Sequence, residues 1–196
     1  GALRPTGGRI LLDGRDVAGL PAHAMARRGV GRSYQITNVI LPFSVAENCR
    51  LAAQAQAPSP FRLRSGARAA AEHAAVAAAL RAVGLAEREN EPAAHLSHGE
   101  QRQLEIAMLI ASGARLLVLD EPLAGMGAEE TDRMLQVLQL LRPGHAILLV
   151  EHDMDAVFRI ADRITVMVDG AVIASDAPEA IRGNEQVQLA YLGEAH

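Results

Sequence analysis

The stretch RLLVLDEP, residues 115–122, decides the fold class. Leu116 to Leu119 form an unbroken apolar run, the pattern of a short strand covered on both faces in a parallel sheet. The run stops at two carboxylates, Asp120 and Glu121, before Pro122 turns the chain. Ligands of open α/β sheets bind beyond the carboxyl ends of the strands. Two acids at that end are therefore candidate functional groups. One can hold a hard cation, which prefers oxygen ligands. The other can polarise an attacking water. A strand ending in two solvated acids would carry the same letters, so the pair gains its weight from what surrounds it.

Downstream, AILLVEHD (146–153) reads as a second strand of the same buried kind, with His152 just past its end. A helix over 127–141 separates the two runs and another over 153–161 follows. DRITVMVDGAVIASD (162–176) then reads as two strands around Asp169-Gly170, a strong hairpin signal. Upstream, Ile10–Leu12 form a short strand, Pro21 opens a short helix, and a strand after Gly29 runs into Gln35. Alternating strands and helices predict an α/β fold with a parallel-sheet core, to which the closing hairpin adds antiparallel edge strands.

From Ser44 the pattern becomes helical. Ser44 and Glu47 have capping-box spacing, APSPFRLRSG (57–66) breaks the chain, and an alanine-rich helix follows. That helix lines up Val76, Leu80 and Val83 on one face and ends at Gly84. A third helix begins within HLSHGEQRQLEIA (95–107), where Ser97 and Glu100 form a second capping box. Its buried face is expected at Leu104, Ala107, Met108 and Ala111. Capping leaves Gly99 unexplained, because glycine in a first turn costs stability. It makes sense where something must approach the backbone, and a helix N-terminus attracts anions. Residues 1–43 and 113–196 thus form the α/β core, and residues 44–112 an inserted helical subdomain.

Bulk properties exclude several functions. A net charge of -4 and a pI near 6.0 argue against a nucleic-acid binder working by bulk charge. A single cysteine, Cys49, rules out an internal disulfide. No apolar run approaches the roughly 20 residues that span a bilayer. All 19 basic residues are arginine, so no lysine of these 196 residues can take part in chemistry.

Taken together, Gln35, LSHGEQ, LLVLDEP and LLVEHD occur in the order and spacing of the ATP-binding subunits of ABC transporters, and the chain resembles that family over nearly its whole length. The resemblance implies a P-loop NTPase-like core with ATP and Mg²⁺ as cofactors. It makes Gln35 the Q-loop glutamine that reaches the metal, and Leu96–Glu100 the signature motif, with Ser97, His98, Gly99 and Glu100 facing ATP. It makes Asp120 the metal-side aspartate, Glu121 the catalytic glutamate, and His152 the switch histidine. RPTGGRILLDG, QRQLEIA, VEHDMDAV and AYLGEA look like the importers of branched-chain amino acids.

That closer likeness implies a head-to-tail dimer of ATPase subunits at the cytoplasmic face of the bacterial inner membrane. Its partners would be permease subunits and, indirectly, a solute-binding protein; no nucleic acid is involved. A non-transport ABC ATPase of DNA repair or translation, or a non-catalytic partner supplying only the signature helix, are the alternatives. The sequence departs from the family pattern at His98, Glu100 and Gly127-Ala128. It also lacks the phosphate loop G-x-x-x-x-G-K-[ST], which the resemblance places upstream of Gly1, with Gly1 in the helix leaving that loop. The chain alone is accordingly expected to be inactive as an ATPase.

Overall fold

The computed structural model describes residues 3–34, 38–55 and 66–192. Gln35 and most of the expected break at residues 57–66 lie outside them. The chain divides into two compact units, Gly1–Val150 and Glu151–His196.

The first unit opens with a small antiparallel hairpin, β1 (Leu11–Leu12) and β2 (Arg15–Asp16), followed by α1 (Ala22–Ala26). Its main sheet is parallel, with strand order β3-β4-β5: β3 is Val30–Arg32, β4 Leu116–Asp120 and β5 Ala146–Val150. Arg32 stands opposite Val118, and Asp120 opposite Val150. That register brings the carboxyl ends of β4 and β5 level. Gly31 in β3 is a packing requirement, since a Cβ there would come within 2.8 Å of the Ala114 Cβ.

Among the described residues three α-helices follow β3 and precede β4: α2 (Val45–Ala55), α3 (Gly66–Ala82) and α4 (His98–Ala111). They pack on one another, and α4 also touches β3 and α5 (Ala128–Leu141). The α2 cap forms as expected, with the Ser44 N–H donating to Glu47 at 2.8 Å and the Glu47 N–H donating to Ser44 Oγ at 3.2 Å. Leu80 of α3 and Leu104 of α4 are completely buried. Burying such a side chain contributes about 1.5–3 kcal/mol. Buried Asn48 organises the entry to α2: its amide oxygen accepts from the Ile40 N–H, and its NH₂ donates to the Ile40 and Ser44 carbonyls. Cys49, fully buried beside it, has its thiol pushed up to about 12 by loss of solvent.

Two expectations about burial need correction. β4 buries Leu117 and Leu119, but β5 alternates half-buried and exposed residues, with Leu148 55% and Val150 51% exposed. Among the described residues β5 pairs with β4 alone and is the edge of its sheet. On α4, Leu104, Ala107 and Ala111 are buried while Met108 is only half-buried. The charged Arg102 and Glu105 are buried there too.

The second unit begins with α6 (Met154–Ile160), capped by the Asp153 carboxylate. β6 (Ile164–Val168) and β7 (Ala171–Asp176) are hydrogen-bonded to each other as their own two-stranded sheet. The connecting Asp169 and Gly170 both have positive φ, 49° and 78°, as a two-residue hairpin turn requires. α7 (Pro178–Arg182) and α8 (Glu185–Leu192) complete a core of Ile164, Val166, Ile181 and Val187.

Candidate functional site

At the carboxyl end of β4, Ser33, Asp120 and Glu121 come together. The Ser33 N–H continues the β3–β4 ladder onto the Val118 carbonyl, and its hydroxyl accepts the Asp120 N–H at 3.2 Å. Asp120 leans out of the sheet end, about one-third exposed, and its carboxylate takes Arg32 at 3.2 Å. An ion pair this open to solvent is worth about 0–1 kcal/mol. A pair so weak leaves the carboxylate a chemically suitable oxygen donor for a hard metal ion.

Glu121 has a left-handed backbone, with φ at 45°. Its N–H still reaches across to the Val150 carbonyl at 2.9 Å. Among the described non-glycine residues only Asp13 and Asp169 share this conformation, and both stand in Asp-Gly turns where it is routine. A glutamate has no such excuse. A side chain held in a sparsely populated backbone region needs surroundings that fix it there, and such positions cluster at active sites.

The second group of candidates lies at the start of α4. Ser97 is the N-cap: its hydroxyl accepts the Glu100 N–H at 3.3 Å, and its own N–H donates to Glu100 Oε2 at 2.8 Å. Glu100 would be an awkward neighbour for an anion, but its other oxygen is held by Arg88 at 2.6 Å. Burial works to raise the Glu100 carboxyl; the Ser97 N–H and Arg88 outweigh it and hold the group below the ordinary carboxylate range. Arg88 also binds Glu91 at 2.6 Å. His98 is exposed, with its ring facing Gly125 of the loop after β4.

This Arg88 junction has a pH signature. A depressed carboxyl binds fewer protons folded than unfolded, so its stabilisation is present above the ordinary carboxylate range and fades as pH falls through it. Arg88→Met should therefore destabilise most near neutral pH, and the gap from wild type should close on acidification. Urea unfolding at a series of pH values checks this. A gap independent of pH would mean that Arg88 acts by packing alone.

Gly99 is buried, and the close approach expected there is made by Glu130 of α5. A Cβ on Gly99 would stand 2.8 Å from Glu130 Oε1, and the Ser97 hydroxyl donates to that oxygen at 3.1 Å. Glu130 is thus a site residue that sequence reasoning missed, 33 positions away with no local pattern to announce it. Arg102 and Glu105 were missed as well. An i, i+3 Arg–Glu pair reads as a solvated helix face; here Arg102 donates to the Tyr34 carbonyl at 2.7 Å and Glu105 accepts the Tyr34 N–H at 3.4 Å.

Two candidates remain. His152 belongs to the second unit, where it is exposed, 3.9 Å from the buried carboxylate of Glu151. Gln35 lies outside the described residues. Among the described residues no helix is long and apolar enough to cross a membrane.

Comparison with known proteins matches this arrangement. Residues 1–124 match the family model described as ABC transporter, and residues 171–196 the one described as branched-chain amino acid ATP-binding cassette transporter. The chain is 40% identical over 205 residues to the high-affinity branched-chain amino acid transport ATP-binding protein BraF of Pseudomonas aeruginosa, covering all of this chain and 80% of BraF. Against LivG of Escherichia coli, a protein of the same description, identity is 40% over 203 residues, with the same coverage. An ATP-binding cassette of an ABC transporter in its ADP conformation superposes with a TM-score of 0.80, over 97% of this chain and 79% of that one, at 20% identity. The β4-end carboxylates and the capped α4 therefore sit in a known framework: the chain belongs to the ATP-binding cassette family of ABC transporters.

Proposed function

We propose that the protein is the ATP-hydrolysing subunit of an importer for branched-chain or other hydrophobic amino acids. The observation that carries the catalytic part is Glu121, held in a left-handed backbone directly after Asp120 at a strand's carboxyl end. The names of the BraF and LivG relatives support the solute class. In this reading Asp120, with Gln35, holds Mg²⁺, which when bound offsets negative charge on the ATP phosphates. Glu121 polarises the attacking water. His152 orients the terminal phosphate and the water. Ser97, His98, Gly99 and Glu100 face the ATP of a second ATPase subunit across a head-to-tail interface.

Residues 1–43 and 113–196 act as the nucleotide-binding core and 44–112 as a helical subdomain. The subdomain docks on the permease, and exposed Ile40, Leu41, Phe43 and Leu51 at its entry offer apolar surface for that contact. The protein then works at the cytoplasmic face of the bacterial inner membrane, supplied indirectly by a solute-binding protein. Because residues 1–196 contain no lysine and no phosphate loop, they bind ATP weakly by themselves.

Reconstitution tests the proposal: the full-length protein with its permease in proteoliposomes, assayed for ATP hydrolysis with leucine, isoleucine or valine and the solute-binding protein. Stimulation by these solutes is the expected result. Hydrolysis stimulated only by an unrelated solute would sink the substrate class, and no ATP hydrolysis at all would sink the enzymatic reading.

A further inference from the structure

Glu130 lies in the first turn of α5, a helix whose N-cap, Gly127, makes no side-chain cap hydrogen bond. Its carboxylate sits among the first residues of α5 and also reaches the start of α4, where it accepts the Ser97 hydroxyl at 3.1 Å. Both helix N-termini favour a negative charge there. Gly99 makes the second contact possible: Glu130 Cδ lies only 2.9 Å from where a Cβ would be. The other acid at this helix start, Glu100, is committed to Arg88 and to its own cap.

A serine hydroxyl has one proton to donate. While Glu130 holds that proton, no phosphate oxygen can take it, and a phosphate arriving beside Glu130 meets a like charge. We propose that Glu130 is an affinity-determining residue of the signature: its carboxylate occupies the Ser97 hydroxyl until the phosphate of a neighbouring subunit's ATP displaces it. This inference deepens the ATP-sandwich reading and rests on it. The half-buried Glu130 side chain can withdraw by rotation about its own bonds, with both helices left in place. Occupied or displaced, the signature keeps its cap, because Ser97 accepts the Glu100 N–H through a lone pair rather than through the contested proton.

The inference predicts a gain, which a merely structural glutamate would not give. In the full-length protein arrested by Glu121→Gln, MgATP-driven dimerisation is followed by light scattering. Glu130→Gln is expected to lower the ATP midpoint roughly threefold to tenfold, the scale of removing one partly screened like charge. Glu130→Asp keeps the charge in the first turn of α5 but draws it back from Ser97; it should shift the midpoint in the same direction by less, and it protects the test should Glu130→Gln fold poorly. Adding Ser97→Ala should shrink either gain, leaving only the part that relief of like charge supplies. An unchanged or raised midpoint in both Glu130 variants overturns the inference, as does a Glu130→Gln gain that is no smaller without the Ser97 hydroxyl. An arrested protein that neither binds ATP nor dimerises would overturn the ATPase reading itself.

Discussion

Glu121→Gln in the assembled transporter is expected to lower ATP turnover by about 10²–10⁴-fold while MgATP still binds. That factor is the usual worth of a positioned general base. The substitution keeps the size and hydrogen-bonding reach of the side chain and removes its basicity. Glutamine adopts the left-handed backbone about as readily as glutamate, so the 45° φ and the Val150 contact should persist. The loss should therefore fall on kcat, with the ATP dissociation constant little changed. Asp120→Asn separates the two acids: weakening the metal ligand should raise the Mg²⁺ concentration needed for half-maximal rate. Steady-state hydrolysis paired with equilibrium nucleotide binding makes the comparison. Retention of more than about a tenth of wild-type turnover in Glu121→Gln would remove the glutamate from the chemistry, since a positioned base typically contributes at least about a hundredfold.

How far the letters led differs from element to element, for physical reasons. Caps and turns were legible because their chemistry is local. Ser44 with Glu47, Ser97 with Glu100, and Asp169-Gly170 each complete their pattern within four residues, and each forms as read. The β4 acids were legible too, because a change from apolar run to carboxylate marks a strand end. β5 misled for the complementary reason. A run such as AILLV records what the side chains prefer, whereas burial depends on which elements cover them, and β5 has β4 as its only strand neighbour among the described residues. Gly99 does have a close neighbour, and the approaching group comes from another helix. Long-range partnerships of this kind leave no periodicity. The Arg102–Glu105 pair is the extreme case, since its spacing describes a solvated helix face and its burial follows from where Tyr34 passes.

Breaking that pair has the largest expected effect on stability. Arg102 and Glu105 side chains are 4% and 7% exposed and 3.2 Å apart. Together they tie α4 to the backbone at Tyr34, and Glu105 is hydrogen-bonded at Asn38 as well. Removing one partner of a buried ion pair costs about 3–5 kcal/mol, chiefly because the other charge is stranded. The two halves should not cost the same. Glu105→Ala strands a guanidinium that cannot give up its proton, so its cost should be near the top of that range; because the folded Glu105 carboxyl is raised, that cost should be greatest in acid and ease toward neutrality. Arg102→Met strands a carboxylate that can neutralise itself. Burial already raises the Glu105 carboxyl, and Arg102 opposes that rise. Without Arg102 it should rise further, so the folded state binds the proton more tightly than the unfolded one. Stability then falls as pH climbs from the ordinary carboxylate range to the raised value, and Arg102→Met should cost little in acid and progressively more toward neutrality. The double variant Arg102→Met/Glu105→Leu strands no charge and should recover much of the loss, though the Tyr34 N–H and carbonyl remain without these partners. Urea unfolding of the three variants across pH distinguishes these outcomes. A double variant no more stable than Glu105→Ala alone would show that the two side chains act separately, through packing and backbone hydrogen bonds, and that their mutual charge is incidental.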